Sequence, residues 1–459
     1  MASHFSLKGV LLPFEELSAK HYDKIVLSVV ITAILFVAYR LVSLPDFIPV
    51  NDEIFELIFL EQNEYKNVFD LLLYDKKGQF HPGKQFLLYE SFRKGLAVNE
   101  IRFLSLVAVS IFSITLLYVY SRTNPVSSVS VIAALPVILW SDYILHPIIS
   151  GSLIFFSIQL IGLLVVFNSV LPTHYRIFGL VVSACFCFIG SGSGGQIVNL
   201  AVMIFVVVTF VKERSLKPIQ IMTFLSCILS FLSYIFFVSG SLKSGVGIFS
   251  LLSLDVLYLI DNFFRFSYSY FFSIVGLKTF GSDFYLLSGF TLLFIFWRIF
   301  STQCRIATIA YLIFVVGLLV TFVGLSGRWG IPVAVERADS WRFGVMSSFF
   351  VIALALDLPV LAGISRKFWG GFRYVSMVAL FGLVVSALVW KEHQVERIWW
   401  AERARSAYFI QGIFPFDCKL VRFRRSLSDI ECQALEAAYE KVILQRFPRN
   451  GRHKKLFKY

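Results

Sequence analysis

An acidic pair, Asp52 and Glu53, stands a few residues past the first long apolar run, at the end of Ser-Leu-Pro-Asp-Phe-Ile-Pro-Val-Asn-Asp-Glu (43–53). A carboxylate held at a membrane boundary beneath a long loop is a functional-site candidate. It is also the group that could take a proton from an acceptor hydroxyl. The same residues read as a helix cap, because Asn51 or Asp52 before Ile54-Phe55-Glu56-Leu57 fits a helix start. His81 lies in Gly78-Gln79-Phe80-His81-Pro82-Gly83-Lys84 and marks a turn feeding an interfacial helix; a lone loop histidine is otherwise simply solvated. Asp142 and His146 belong to a short polar loop, Trp140 to Pro147, between two apolar runs. Arg328, Arg337 and Arg342 carry the planar guanidinium that binds phosphate oxygens in a bidentate way. Each can equally be a cation snorkelling to the membrane interface. Lys243 is a further cation with phosphate in reach. The seven histidines show no i,i+4 pair and no His-Glu-x-x-His spacing, so no metal site is predicted. A divalent ion at Asp52 and Glu53 is conceivable but not indicated. No nucleotide-binding fingerprint occurs, which argues against a nucleotide-sugar donor, and no nucleic-acid partner is expected.

The elements that must position these residues are membrane helices. Of 459 residues, 57% are hydrophobic and 15% charged, with 50 Phe, 19 Tyr and 8 Trp. A soluble domain carries about 25% charged residues, so the chain cannot cover a globular surface with charge. Disordered, collagenous and coiled-coil classes fail on the same numbers, and six Cys are too sparse for a disulfide scaffold. Apolar runs long enough to span give about eleven helices: 24–44, 101–120, 127–142, 147–170, 175–190, 196–212, 219–239, 284–300, 306–326, 342–364 and 373–391. The runs 127–142 and 175–190 are short, and are tilted spans or re-entrant segments. The first run stays in the membrane, lacking a small-residue cleavage site.

Short-loop cations set the orientation. Lys212, Arg214 and Lys217 flank one loop, Arg298 and Arg305 another, and Arg366, Lys367 and Arg373 a third. With eleven spans all three fall on the side of the N-terminus, which places that side in the cytoplasm. The long loops 45–100, 240–283 and 327–341 then lie outside, as does the tail 392–459. The tail holds much of the net charge of +13: 391–459 has 15 Lys and Arg against 8 Asp and Glu. Long segments cross regardless of charge, so the short loops decide. Cys418 and Cys432 in the tail are able to pair outside or stay as thiols. Cys185, Cys187, Cys227 and Cys304 are expected as small buried residues. Gly-Ser-Gly-Ser-Gly-Gly (190–195) reads as a flexible turn on the outer face, or as backbone that approaches a ligand. The aromatic, amphipathic stretch 254–277, interrupted by Asp255, Asp261, Asn262 and Arg265, reads as a helix lying in the outer interface or as an aromatic belt.

One span, an acidic residue, an interfacial helix, a His-Pro turn, an apolar helix and an Arg entering the second span: this order resembles the lipid-dependent membrane glycosyltransferases of the GT-C superfamily. It is most similar to the branch of protein mannosyltransferases and the aminoarabinose transferase of lipid A. That branch has Asp(-Glu), then His-Pro-Pro-Leu, then Leu-Arg-Leu-Pro-Ser. Here Asp52-Glu53, His81-Pro82 and Ile101-Arg102-Phe103-Leu104-Ser105 take those places, with Gly83 for the second Pro and Leu104 for the Pro before Ser. The resemblance covers about residues 24–150. It implies an all-α polytopic membrane protein of about eleven transmembrane helices, with interfacial helices in the first and fourth outside loops and a small extramembrane tail. The expected domains are a catalytic membrane region, 1–391, and a basic periplasmic tail, 392–459.

The resemblance further implies that Asp52 is the catalytic base and that Glu53 assists it or binds the acceptor. His81 would shape the donor pocket, Arg102 would be structural, and Asp142 with His146 would form a second polar pair in the outer loop. Arg342-Phe343 resembles an Arg-Tyr pair near the donor phosphate, with Arg328, Arg337 and Lys243 as further phosphate ligands. The donor would be a polyprenyl-phosphate sugar, the acceptor a glycan or glycolipid, the location a bacterial inner membrane, and no cofactor is required. Two other readings stay open. A polysaccharide polymerase or ligase would place its Arg-rich loop late in the chain. A lipid-linked sugar flippase or transporter would show charged residues mid-span and repeated halves.

Overall fold

The computed structural model describes residues 153–168, 171–187, 192–239, 255–272, 284–302, 304–336 and 338, positions within 104–116 and 346–357, and single positions at 31, 35, 433 and 437. Among the described residues the secondary structure is helical, with no strand. Among the described residues eight helices have defined bounds: α1 (Leu153–Phe167), α2 (Thr173–Phe186), α3 (Gly192–Glu213), α4 (Pro218–Ser239), α5 (Val256–Phe272), α6 (Phe284–Ser301), α7 (Arg305–Trp329) and α8 (Ile331–Glu336). The predicted runs 147–170, 175–190, 196–212, 219–239, 284–300 and 306–326 therefore correspond to α1, α2, α3, α4, α6 and α7. The helical positions within 104–116 and 346–357 fall inside the runs 101–120 and 342–364. The runs 127–142 and 373–391, the first outside loop 45–100 and the boundary at 391/392 lie outside the described residues.

Among the described residues three stretches are long and apolar enough to cross a bilayer: Gly194–Glu213, Pro218–Ile235 and Arg305–Gly327. Ile154–Phe167 and Tyr285–Ser301 are apolar but shorter. A helix that is apolar on every face must be buried in protein or in lipid, and both occur. α7 is 78% buried along its apolar window and forms the centre, whereas α4 is only 22% buried. Leu229 on α4, Phe290 on α6 and Phe178 on α2 stay about two-thirds exposed. In water such a surface would be an aggregation face; against lipid tails it is the natural one.

Small residues decide the closest contact. A Cβ on Gly162 of α1 would lie 2.6 Å from the Gly179 carbonyl oxygen and 2.8 Å from the Ser183 nitrogen, and one on Gly179 would lie 2.8 Å from the Gly162 carbonyl oxygen. Gly179 and Ser183 are four residues apart on α2, the spacing by which membrane helices bring their backbones together. The glycine run is resolved differently from its expectation as a turn. Gly192, Ser193, Gly194 and Gly195 already form the first turn of α3. There the Gly195 carbonyl accepts from Gln159 of α1, and a Cβ on Gly194 would press on Met346 at 3.2 Å. The run is helical because close packing against α1 and Met346 outweighs the poor helix propensity of glycine.

Within 254–277 the described residues form one helix, α5, which packs against α6, α7 and α8. Phe263 meets Phe322 of α7 edge to face and Phe266 meets it tilted, while Tyr270 and Phe271 meet Phe314 with tilted rings. Equal steps along α5 thus match equal steps backwards along α7, so the two run antiparallel. The aromatic face of α5 is drawn in because it buries Phe266, Tyr270 and Phe271, while Val256 and Leu257 at its start remain exposed. Asp255 caps that start by accepting from the Leu257 N–H at 3.0 Å. At the end of α7 the Gly330 N–H donates to the Ser326 carbonyl at 3.0 Å, and Gly330 takes φ 84°, a conformation that favours glycine. α8 then folds back onto α7 and α5.

Candidate functional site

Two buried polar clusters stand out against the apolar bundle. The first joins α6, α7 and the segment 346–357. Arg298 and Asp357 are both wholly buried and form a two-point ion pair, Nε and Nη2 of the guanidinium donating to the two carboxylate oxygens. Asp357 also accepts from the Thr302 hydroxyl at 2.9 Å and the Tyr311 hydroxyl at 3.2 Å. Arg298 donates from Nη1 to the Ser301 hydroxyl at 3.1 Å, and its guanidinium lies 5.0 Å from the centre of the Trp297 ring. A charge in the membrane is tolerated only when paired and hydrogen-bonded, and here both members meet that condition. The arrangement is a clamp between helices rather than an open site. It corrects the expectation that Arg298 serves as a loop cation beside the membrane. The residue missed by sequence reasoning is Asp357. Its signal was present, since it is the only acidic residue in the run 342–364.

The second cluster is neutral and joins α1, α2, α3 and α4. Asn199 is its hub. Its amide Nδ2 donates to Ser230 Oγ at 3.1 Å, Cys187 Sγ at 3.1 Å and Gln196 Oε1 at 3.3 Å, and its Oδ1 accepts from Gln159 at 3.3 Å. Gln196 also reaches Cys187 Sγ at 3.3 Å, and the Cys227 thiol approaches Asn199 Oδ1 at 3.8 Å. All these side chains are buried, and they bond across helices in the way polar residues hold membrane bundles together. Cys187 and Cys227 thereby fit their expectation as small buried residues. Cys185 does not: it is exposed, on the face of α2 away from the cluster, and Cys304 is half-buried. Cys418 and Cys432 lie outside the described residues. No group of three or more His, Cys, Asp or Glu side chains converges among the described residues.

Of the predicted site residues, Arg328 stands in the last turn of α7, beside the α8 turn that packs on α5. Asp52, Glu53, His81, Asp142, His146, Lys243, Arg337 and Arg342 lie outside the described residues. The bundle also holds a partly open apolar pocket of about 40 Å³, lined among others by Leu116, Leu163, Phe167, Ile306, Ala310 and Phe349. No family model, curated protein or solved structure matches the chain.

Proposed function

We propose that the chain is a membrane glycosyltransferase of the GT-C type, using a polyprenyl-phosphate sugar at the outer face of a bacterial inner membrane. The observation that carries this reading is the order Asp52-Glu53, His81-Pro82 and Arg102 within and just after the first loop. Asp52 takes the proton of an acceptor hydroxyl, which attacks the anomeric carbon with inversion, and the lipid phosphate leaves with the bonding electron pair. Glu53 assists at the acceptor, and His81, Asp142 and His146 line the sugar. Arg342, Arg337, Arg328 and Lys243 stabilise the charge that develops on the leaving phosphate. The reading includes eleven spans, a cytoplasmic N-terminus and a periplasmic C-terminus. The packing of α8 on α5 supports it, because it sets the aromatic helix of the loop 240–283 beside the segment that continues α7 past Arg328.

The test is transfer from a polyprenyl-phosphate sugar by the full chain in proteoliposomes. Asp52→Asn, at equal membrane expression, should lower transfer by roughly 10²–10⁴-fold, the range for a lost general base. Undiminished transfer would remove Asp52 as the base. Movement of the lipid-linked sugar between leaflets by the wild type, with no transfer, would favour the flippase reading instead.

A further inference from the structure

α5 is exposed on every side at one end and buried on every side at the other. Asp255, Val256, Leu257 and Tyr258, a whole turn, are exposed, whereas Phe266, Ser267, Tyr268, Tyr270 and Phe271 are buried. A helix lying along the outside of a bundle keeps one buried stripe from end to end; one that enters a bundle end-on shows this gradient instead. Its partners on α7 give the depth. Phe263 and Phe266 meet Phe322, and Tyr270 and Phe271 meet Phe314, so the buried end has passed Gly317, the middle residue of α7. A Cβ on Gly317 would lie 3.1 Å from the Tyr270 hydroxyl, which marks the same level. α6 also runs antiparallel to α7, since only positions 302–304 join their ends and the rings of Phe294 and Tyr311 meet at 6.4 Å. α5 and α6 are therefore parallel, with their starts side by side. There the Tyr285 hydroxyl donates to Asp261, and the Ser288 hydroxyl to the Phe264 carbonyl at 3.3 Å. The chain descends through α5 and is back at the same end by Phe284.

The buried end of α5 closes on the ion pair. Phe271, Phe314 and Phe350 form a triangle of rings with centroids 4.7, 5.3 and 5.6 Å apart. Phe314 stands one turn from Tyr311, whose hydroxyl holds Asp357, and Phe350 stands two turns before Asp357 itself. The rings therefore lie next to the Arg298–Asp357 pair, on the side from which α5 enters. We propose that α5 is a re-entrant plug. It enters the bundle from the end opposite Arg305, its aromatic tip closes the bundle over the buried ion pair, and the chain leaves by the end at which it came in. Backbone that dips into a membrane bundle and returns is tolerated where protein buries it, and the tip of α5 meets that condition. Water reaching Arg298 and Asp357 would raise the local dielectric and weaken their attraction; the three rings keep it out from the open end. α5 is then no crossing, so the loop 240–283 begins and ends on one side. The proposal does not rest on the glycosyltransferase reading.

The experiment uses the full chain in the membranes of the expressing cell. Two cysteine pairs, Phe266→Cys with Phe322→Cys and Phe271→Cys with Phe314→Cys, are treated with a bifunctional methanethiosulfonate, and mass spectrometry reads the linked positions. Both pairs should link. A helix lying across the end of the bundle would link the first pair alone, so failure of the second pair, with or without the first, overturns the proposal. A phosphatase fused after Asp283, ahead of α6, needs no cysteine and leaves α5 intact. It should report the same side as one fused after Lys243; the opposite side would make α5 a crossing helix and overturn the proposal too. The seal is read at Phe350→Cys. That thiol should resist an impermeant methanethiosulfonate added from the side where α5 enters, and should be modified once Phe271→Ala is added. Modification with Phe271 in place, or resistance in both proteins, denies the tip of α5 its role over the ion pair.

Discussion

Asp357 is held by three residues from two elements, and its replacement separates what the pair costs from what it fixes. Asp357→Asn leaves Arg298 charged, wholly buried and without its counter-ion. Breaking a buried pair in this way costs about 3–5 kcal/mol, so the variant should aggregate on mild heating in detergent. Replacing both members by apolar residues, Arg298→Met with Asp357→Leu, removes the uncompensated charge and should recover most of that loss. Heating a fluorescent fusion and following its soluble, monodisperse fraction compares the three proteins. A double variant no more stable than Asp357→Asn would show that the clamp contributes more than charge cancellation. Asn199 offers a milder case. Asn199→Ala removes bonds to four partners, and interhelical bonds in membranes average about 0.6 kcal/mol each. A fall of a few degrees in the same assay is expected; no change would mark the cluster as replaceable by water or by its own rearrangement.

At the level of elements, the contact between α1 and α2 rests on two glycines and the packing of α7 on its apolar faces. Gly179→Ala would push a methyl group against the Gly162 carbonyl and Val165. Overpacking of this kind costs about 1–3 kcal/mol, here paid in separation of the two helices. Gly324 on α7 is the control: a Cβ there meets nothing within 4 Å. Gly324→Ala should leave thermal stability unchanged or raise it, since alanine is the better helix former by up to about 1 kcal/mol. Similar losses for both variants would deny the glycine contact its role. These cases also show what the sequence could reveal. Hydropathy located α1, α3, α4, α6 and α7 because lipid rewards apolar length regardless of partner. It could not pair Gly162 with Gly179, because that contact depends on how two helices face each other. Nor could it tell that α5 runs along α7, because an amphipathic helix satisfies a flat interface and a groove between helices equally well. Arg298 was legible as a cation and Asp357 as an acid in an apolar run, but their pairing across 59 residues of chain is a property of the bundle. The site residues suggested by the first loop, Asp52 as base and His81 at the donor pocket, rest on motif order and fall outside the described residues.

For the whole molecule the question is which side each end occupies. Arg176 holds the Val166 carbonyl at the end of α1, Phe167 and Ile306 line one pocket, Arg305 pairs with Glu213, and Lys212 reaches Ile299. The start of α2, the end of α3, the end of α6 and the start of α7 therefore share one end of the bundle, as alternating spans require. The proposed orientation puts that end, with its short-loop cations, in the cytoplasm, and the sides of the remaining chain follow from the proposed count of spans. A reporter fused after Ser215, between α3 and α4, should fluoresce as a green fluorescent protein and be inactive as an alkaline phosphatase. A fusion after Lys243, beyond α4, should behave in the opposite way. The decisive fusion is at Tyr459. Eleven spans place it outside, so phosphatase activity is expected there although 391–459 carries 15 Lys and Arg against 8 Asp and Glu. Fluorescence at Tyr459 with the first two results intact would mean an odd number of crossings after Lys243, so one of the runs beyond α4 would be miscounted. Since the cation assignment of the central helices would survive, a further fusion after Glu336, at the end of α8, would locate the error: an outside reporter there leaves it in the run 342–364 or 373–391.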